Sequence, residues 1–135
     1  GARSIVAIHG PAFRNYFQGH YPLVRSYLRS LIKNLGINWK VTMDASPQVE
    51  LVLREKDDKL VINLLNRGAS ETTMPRRVMF EEIAPVHNVR LKVDLPEAPR
   101  NVRMVPDAQC LYKYENGVLE ITVPVLHIHT AIVVE

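Results

Sequence analysis

VELVLREKDDKLVINLLN, residues Val49 to Asn66, decides the fold. Val49, Leu51 and Leu53 fall on one side of an extended strand, and Glu50, Val52 and Arg54 fall on the other. After a charged turn, Leu60, Ile62 and Leu64 repeat the same period of two. The two runs read as a hairpin with a mostly apolar face. Such a face needs a second sheet to cover it, so the stretch predicts a β-sandwich.

Outward from the hairpin, alternation continues. Trp39 to Met43 reads as a strand broken by Ser46-Pro47, and Val89 to Leu95, Val102 to Val105, Gln109 to Glu115, Val118 to Val123 and Ile128 to Val134 follow as further strands. Asn116-Gly117 is a two-residue turn, because both positions accept positive φ. Pro96, Pro99, Pro106 and Pro124 are placed between strands, where they remove no ladder hydrogen bond. The irregular stretch from 66 to 87 is long for a compact domain, which predicts one short strand near Val78 to Glu81.

The beginning is different. Ser4 to His9 reads as a buried strand closed by Gly10-Pro11, and Phe13 to Gly19 as a helical turn with Phe13, Tyr16 and Phe17 on one side. Pro22 then opens a helix in which Leu23, Tyr27, Leu28, Leu31, Ile32 and Leu35 recur at three and four, and Gly36 closes it. Arg25, Arg29 and Lys33, four apart, share its solvated face. The expected organisation is a strand-helix segment over residues 1–37 followed by an antiparallel β-sandwich of about eight strands over 38–135.

Composition narrows the function classes. With 47% hydrophobic residues in 135, the chain can build a true core. No apolar run reaches membrane-spanning length and no secretory signal pattern opens the sequence, so neither a membrane partner nor export is expected. The net charge of +3 invites nucleic acid, but the basic residues are scattered among acidic ones without a recognised module, and no nucleic-acid partner is expected. Cys110 is a single cysteine in an apolar alternation; it reads as a buried structural thiol, and a reducing, cytoplasmic location suits a fold without disulfides.

Several residues are candidates for chemistry. Acid–base chemistry by paired carboxylates needs two carboxyl groups facing each other across one bond. The close acidic pairs are Asp57-Asp58, which reads as hairpin-turn chemistry, and Glu81-Glu82, whose side chains would point to opposite faces of a strand. His127 and His129 form an H-x-H pair whose rings would share a strand face, making them candidate metal ligands, but neither a cysteine pair nor an HExxH stretch joins them, so no metal or other cofactor is expected. Leu126, Ile128, Ile132 and Val134 make the opposite, apolar face of that strand. Trp39, Tyr112 and Tyr114 are the candidate sugar-stacking aromatics, weighed against cross-strand packing of the two tyrosines. His20 reads as a helix-entrance residue, and His9 and His87 as structural or surface residues.

LREKDDKLVINLLNRG (53–68), EEIAPVHNVRLKVDLP (81–96) and YENGVLEITVPVLHIHTAIVVE (114–135) together resemble the C-terminal β-sandwich of bacterial multidomain glycoside hydrolases of the β-galactosidase and α-L-fucosidase-like kind. SIVAIHGPAFRNYFQGHYPLVRSYLRSLIKNLG (4–36) resembles the tail of the amidotransferase-like, trimerisation-type domain that precedes such sandwiches. The resemblance implies a catalytic (β/α)8 barrel upstream that carries the reacting carboxylates, and a non-catalytic accessory role for this chain. Its implied partners are those upstream domains of the same parent, with a homo-oligomer through helix 22–35 as a further possibility. A carbohydrate-binding module and a free-standing interaction domain are the alternatives.

Overall fold

The computed structural model of the chain describes residues 5–19, 21–68, 82–106 and 110–135. The chain divides into two compact units, Gly1–Trp39 and Lys40–Glu135.

The first unit holds two helices, α1 (Ala12–Gly19) and α2 (Pro22–Asn34). Pro22 opens α2 at the position where its missing N–H costs nothing, and Leu35 and Gly36 close it by donating to the carbonyls of Ile32 and Lys33, with Gly36 at φ 64°. The strand expected over Ser4 to His9 is not formed: residues 5–9 carry no strand. A strand exists only where another takes up its backbone hydrogen bonds, and the described residues of this unit supply no such neighbour. The expected helical turn at 13–19 is instead a full helix.

The second unit has eight strands among the described residues: β1 (Val41–Asp44), β2 (Val49–Lys56), β3 (Lys59–Asn66), β4 (Val86–Asp94), β5 (Val102–Val105), β6 (Leu111–Glu115), β7 (Val118–Leu126) and β8 (His129–Val134). They form two four-stranded sheets, ordered β1-β4-β7-β6 and β2-β3-β8-β5, with every pairing antiparallel. The inner faces meet in one core. Ile62 and Leu64 of β3 and Ile132 of β8 come from one sheet, and Val89, Leu91 and Val93 of β4 with Leu119, Ile121 and Val123 of β7 come from the other. This is the mainly β, sandwich-like architecture that the hairpin predicted. The expected strand near 78–81 lies outside the described residues.

Within the hairpin, Val49 is buried, Leu51 is half-buried and Leu53 is exposed, along β2, which is an edge strand of its sheet. Its partner β3 is internal, and there Leu60, Ile62, Leu64 and Asn66 are all buried. Asp57 and Asp58 make a two-residue turn at φ 52° and 58°, and Asn116-Gly117 makes another at 50° and 82°.

Pro124 does not lie between strands. It sits inside β7, which runs on to Leu126. The register pairs His87 with Val125 and Val89 with Val123, so Pro124 stands opposite Asn88, itself at φ 55°. There the inward phase flips in both strands, from 119, 121 and 123 to Leu126 in β7, and from 93, 91 and 89 to Val86 in β4. Proline is tolerated because β6 pairs with β7 only over residues 118–122, leaving position 124 without a β6 partner.

Candidate functional site

Three places in the sandwich bring polar chemistry together. The first is an open groove of about 640 Å³ at one end, walled by the β2–β3 turn, by the 95–100 loop and by Glu135. Lys40 and Glu55 form an ion pair on its rim, and Lys59 donates to Glu135 Oε1 at 2.9 Å, with Arg103 Nε 3.7 Å from the same oxygen. The hydrogen bond from Lys40 holds the Glu55 carboxyl below its ordinary value, and that from Lys59, helped by Arg103, does the same for Glu135. These carboxylates are spent on lysines. Asp57 and Asp58 also border the groove, as the exposed tip of a tight hairpin turn. Leu60, Leu95, Pro96 and Pro99 supply apolar surface between the charges.

The second is the edge strand β6. Tyr112 pairs with Ile121 and Tyr114 with Leu119, and because cross-strand partners share a face, both tyrosines look toward the core side of the sheet. Tyr114 is half-buried against the core, and its hydroxyl donates to the Leu95 carbonyl at 3.2 Å. Tyr112 is 49% exposed. Trp39, exposed as well, belongs to the first unit. The candidate platform is thus reduced to Tyr112 within the sandwich, since Tyr114 is committed to packing.

The third is the corner between β7 and β8. His127 lies in the bend, not on the strand, and His129 begins β8, with its Nε2 3.2 Å from Asn63 Oδ1. The shared strand face that made the pair a candidate therefore does not exist in that form. Ile128, expected on the apolar face, is exposed, while Leu126, Ile132 and Val134 are buried. Among the described residues no group of three or more His, Cys, Asp or Glu side chains is placed to hold a metal ion.

What organises this corner is a residue that sequence reasoning passed over. Asn66 is 6% exposed and uses its whole amide. Its Nδ2 donates to the carbonyls of Ala84 (2.9 Å) and His127 (2.8 Å), while Oδ1 accepts from Gln48 Nε2 (3.2 Å) and the Gly68 N–H (3.1 Å). Four segments are tied at one side chain. The signal was present: Asn66 continues the phase of Leu60, Ile62 and Leu64, so alternation places a polar residue on the core side, where it must find partners.

Of the remaining candidates, Glu81 and His20 lie outside the described residues. His9 and His87 are exposed, as is Glu82. Cys110 is half-buried against the core, and burial pushes its thiol pKa up.

The fold has a solved counterpart. The chain is similar to an alpha-L-fucosidase. Alpha-L-fucosidase isoenzyme 2 from Paenibacillus thiaminolyticus superposes with a TM-score of 0.72 over 92% of this chain, at 22% sequence identity. The match covers 19% of that chain. At this identity the likeness is one of fold. No family model matches the sequence, and no curated protein does so either.

Proposed function

We propose that the chain is a non-catalytic accessory domain of a glycoside hydrolase. The sandwich stands at the C-terminal end of the parent enzyme and stabilises or assembles it. Residues 1–37 form the tail of an upstream amidotransferase-like domain, and α2 contributes to packing within the parent or between copies of it. The parent works in the cytoplasm.

One observation carries the reading: nearly all of this chain superposes on a part of a fucosidase that makes up only 19% of that protein. The chemistry of the sandwich agrees. Glu55 and Glu135 are paired with lysines, and Asp57 and Asp58 are adjacent residues of one turn rather than two groups facing each other across a substrate.

The test is an assay of the purified chain on aryl α-L-fucosides and aryl β-galactosides. The expected result is no hydrolysis above background. Turnover that disappears on Asp57→Asn or Asp58→Asn would place catalysis in this chain and end the proposal.

The exposed ring of Tyr112 keeps a carbohydrate-binding role as a second reading. Affinity electrophoresis through immobilised glycans separates the two. Retardation that is lost on Tyr112→Ala would favour the binding module, and unchanged mobility favours the accessory domain.

A further inference from the structure

The groove at the end of the sandwich has fixed walls. One wall is the two-residue turn between β2 and β3, and the other is the 95–100 loop, which carries the chain from β4 in one sheet to β5 in the other. That loop is tied at both ends. The Leu95 N–H donates to the Gly117 carbonyl at 2.9 Å, the Tyr114 hydroxyl donates to the Leu95 carbonyl at 3.2 Å, and the Arg100 N–H donates to the Glu135 carbonyl at 2.6 Å. Between the ties Pro96 and Pro99 restrict φ. A cleft whose walls are set beforehand loses little conformational freedom when it is filled. Its volume of about 640 Å³ falls among those of small-molecule sites, about 300–1,000 Å³.

The charged side chains of the lining fall into two sets. Lys40 is paired with Glu55, and Lys59 with Glu135. Lys56, Asp57 and Asp58 on the turn, with Glu97 and Arg100 on the loop, are exposed and make no ion pair or side-chain hydrogen bond among the described residues. Both walls therefore offer a free acceptor and a free donor. Leu60, Leu95, Pro96 and Pro99 place apolar surface between them.

This distribution selects a class of ligand. An anion meets unpaired carboxylates on both walls, and a cation meets Lys56 on one wall and Arg100 on the other. Carboxylates only accept hydrogen bonds, whereas ammonium and guanidinium groups only donate them, so the group that suits both walls is one that does both: the hydroxyl. A sugar ring carries hydroxyls around its perimeter and C–H groups on its faces.

We propose that this groove binds a neutral saccharide, with Asp58 and Glu97 accepting from its hydroxyls, Arg100 donating to them, and Leu60, Pro96 and Pro99 covering its C–H face. The site goes beyond the accessory-domain reading, which requires no ligand. It is also separate from the Tyr112 ring, which does not line the groove.

The probes are the methyl glycosides of α-L-fucose, β-D-galactose and β-D-glucose, with sulfate and choline as the anionic and cationic controls at matched ionic strength. Each is titrated into the isotope-labelled full chain and followed by two-dimensional amide NMR. At least one glycoside is expected to give saturable shifts, with a millimolar Kd, at the amides of residues 56–60 and 95–100, and the two ions none. In Asp58→Gly/Glu97→Ala/Arg100→Ala the affinity should fall about tenfold or more, because charge-assisted hydrogen bonds are removed from both walls. Glycine suits Asp58 at φ 58°, and resonances outside the groove report that the fold is kept. Glu97→Ala alone should weaken binding about threefold, and Tyr112→Ala should leave it unchanged. Absence of saturable shifts with all three glycosides, shifts centred on β6, an equal response to sulfate or choline, or full affinity in the triple variant would overturn the proposal. The aryl glycoside assay reads hydrolysis and not binding, so the accessory-domain reading and this inference can fail independently.

Discussion

Asn66 carries more of the sandwich than any aromatic or acid singled out for chemistry. Its amide satisfies two backbone carbonyls, that of Ala84 in the segment before β4 and that of His127 in the β7–β8 corner. Asn66→Ala leaves those carbonyls without a partner and is expected to cost about 2–3 kcal/mol, read from the urea midpoint at an unchanged m-value. Asn66→Asp preserves the shape but replaces two N–H donors with acceptors facing carbonyl oxygens, so it should be at least as damaging. A result for either variant within experimental error of the parent would show that the corner is held by something else. Cys110 provides a second check. Burial raises its thiol pKa, so at neutral pH it should react with iodoacetamide more slowly than a small free thiol, and unfolding in urea should remove the difference. Sequence alone indicated that the cysteine was structural; the half-burial was not legible, because alternation does not reveal that Cys110 adjoins an edge strand, β6.

At the scale of elements, turn chemistry was the most legible feature. Asn116-Gly117 and Asp57-Asp58 both adopt positive φ, and both are two-residue turns joining neighbouring strands of one sheet. They differ in strain. Glycine takes φ 82° without a Cβ penalty, whereas Asp58 holds φ 58° with a side chain. Gly117→Ala should therefore lower stability by about 1 kcal/mol, although the nearest atom to an added Cβ, the Leu95 carbonyl oxygen at 3.6 Å, leaves it space. The double change Asp57→Asn/Asp58→Gly should leave stability unchanged or raise it by about 0.5 kcal/mol, because it supplies the preferred residues for this turn. Both values come from thermal or urea unfolding of the purified variants. The strand through Pro124 could not be read in this way. Whether a proline ends a strand depends on whether a neighbour needs its N–H, and the extent of β6 on that side of β7 is a property of the assembled sheet. The strand expected at 4–9 failed for the complementary reason: its apolar run was legible, but no pairing partner lies among the described residues of its unit.

For the whole molecule, surface ion pairs make stability depend on pH in a stated direction. Glu55, Glu120 and Glu135 are held below the ordinary value of 4.5, first of all by hydrogen bonds from Lys40, Lys92 and Lys59 respectively. A carboxyl lowered in the folded state contributes stability that is present above 4.5 and lost as pH falls through the lower folded value. Lys113, raised above 10.5 chiefly by its hydrogen bond with Glu115, has the opposite sign: its contribution is present below 10.5 and lost as pH rises through the folded value. The Tm is thus expected to be flat near neutrality, to fall below about pH 4.5 and to fall again at strongly alkaline pH. The acid decline should shrink in high salt, since Glu55 and Glu120 are solvent-exposed. An acid decline that keeps its full size when Lys40, Lys59 and Lys92 are all replaced by Met would assign it to other groups.

The sequence by itself determined the β class, the hairpin at 49–66, the two-residue turn at Asn116-Gly117 and the start and stop of α2. Each of these rests on interactions between residues near one another in the chain: side-chain alternation, positive-φ preference, and the orphan backbone groups of helix ends. Only the tertiary structure decided which strands share a sheet. Strands β1, β4, β7 and β6 form one sheet and β2, β3, β8 and β5 the other, an order set by which apolar faces can cover each other and not by adjacency along the chain. The same long-range packing turned Tyr114 inward, placed His127 in a bend instead of on a strand, and gave Asn66 its four partners. It decided the candidate sites because each depends on a neighbour supplied by a distant part of the chain, and alternation reveals which side of a strand a residue occupies but not what stands opposite it.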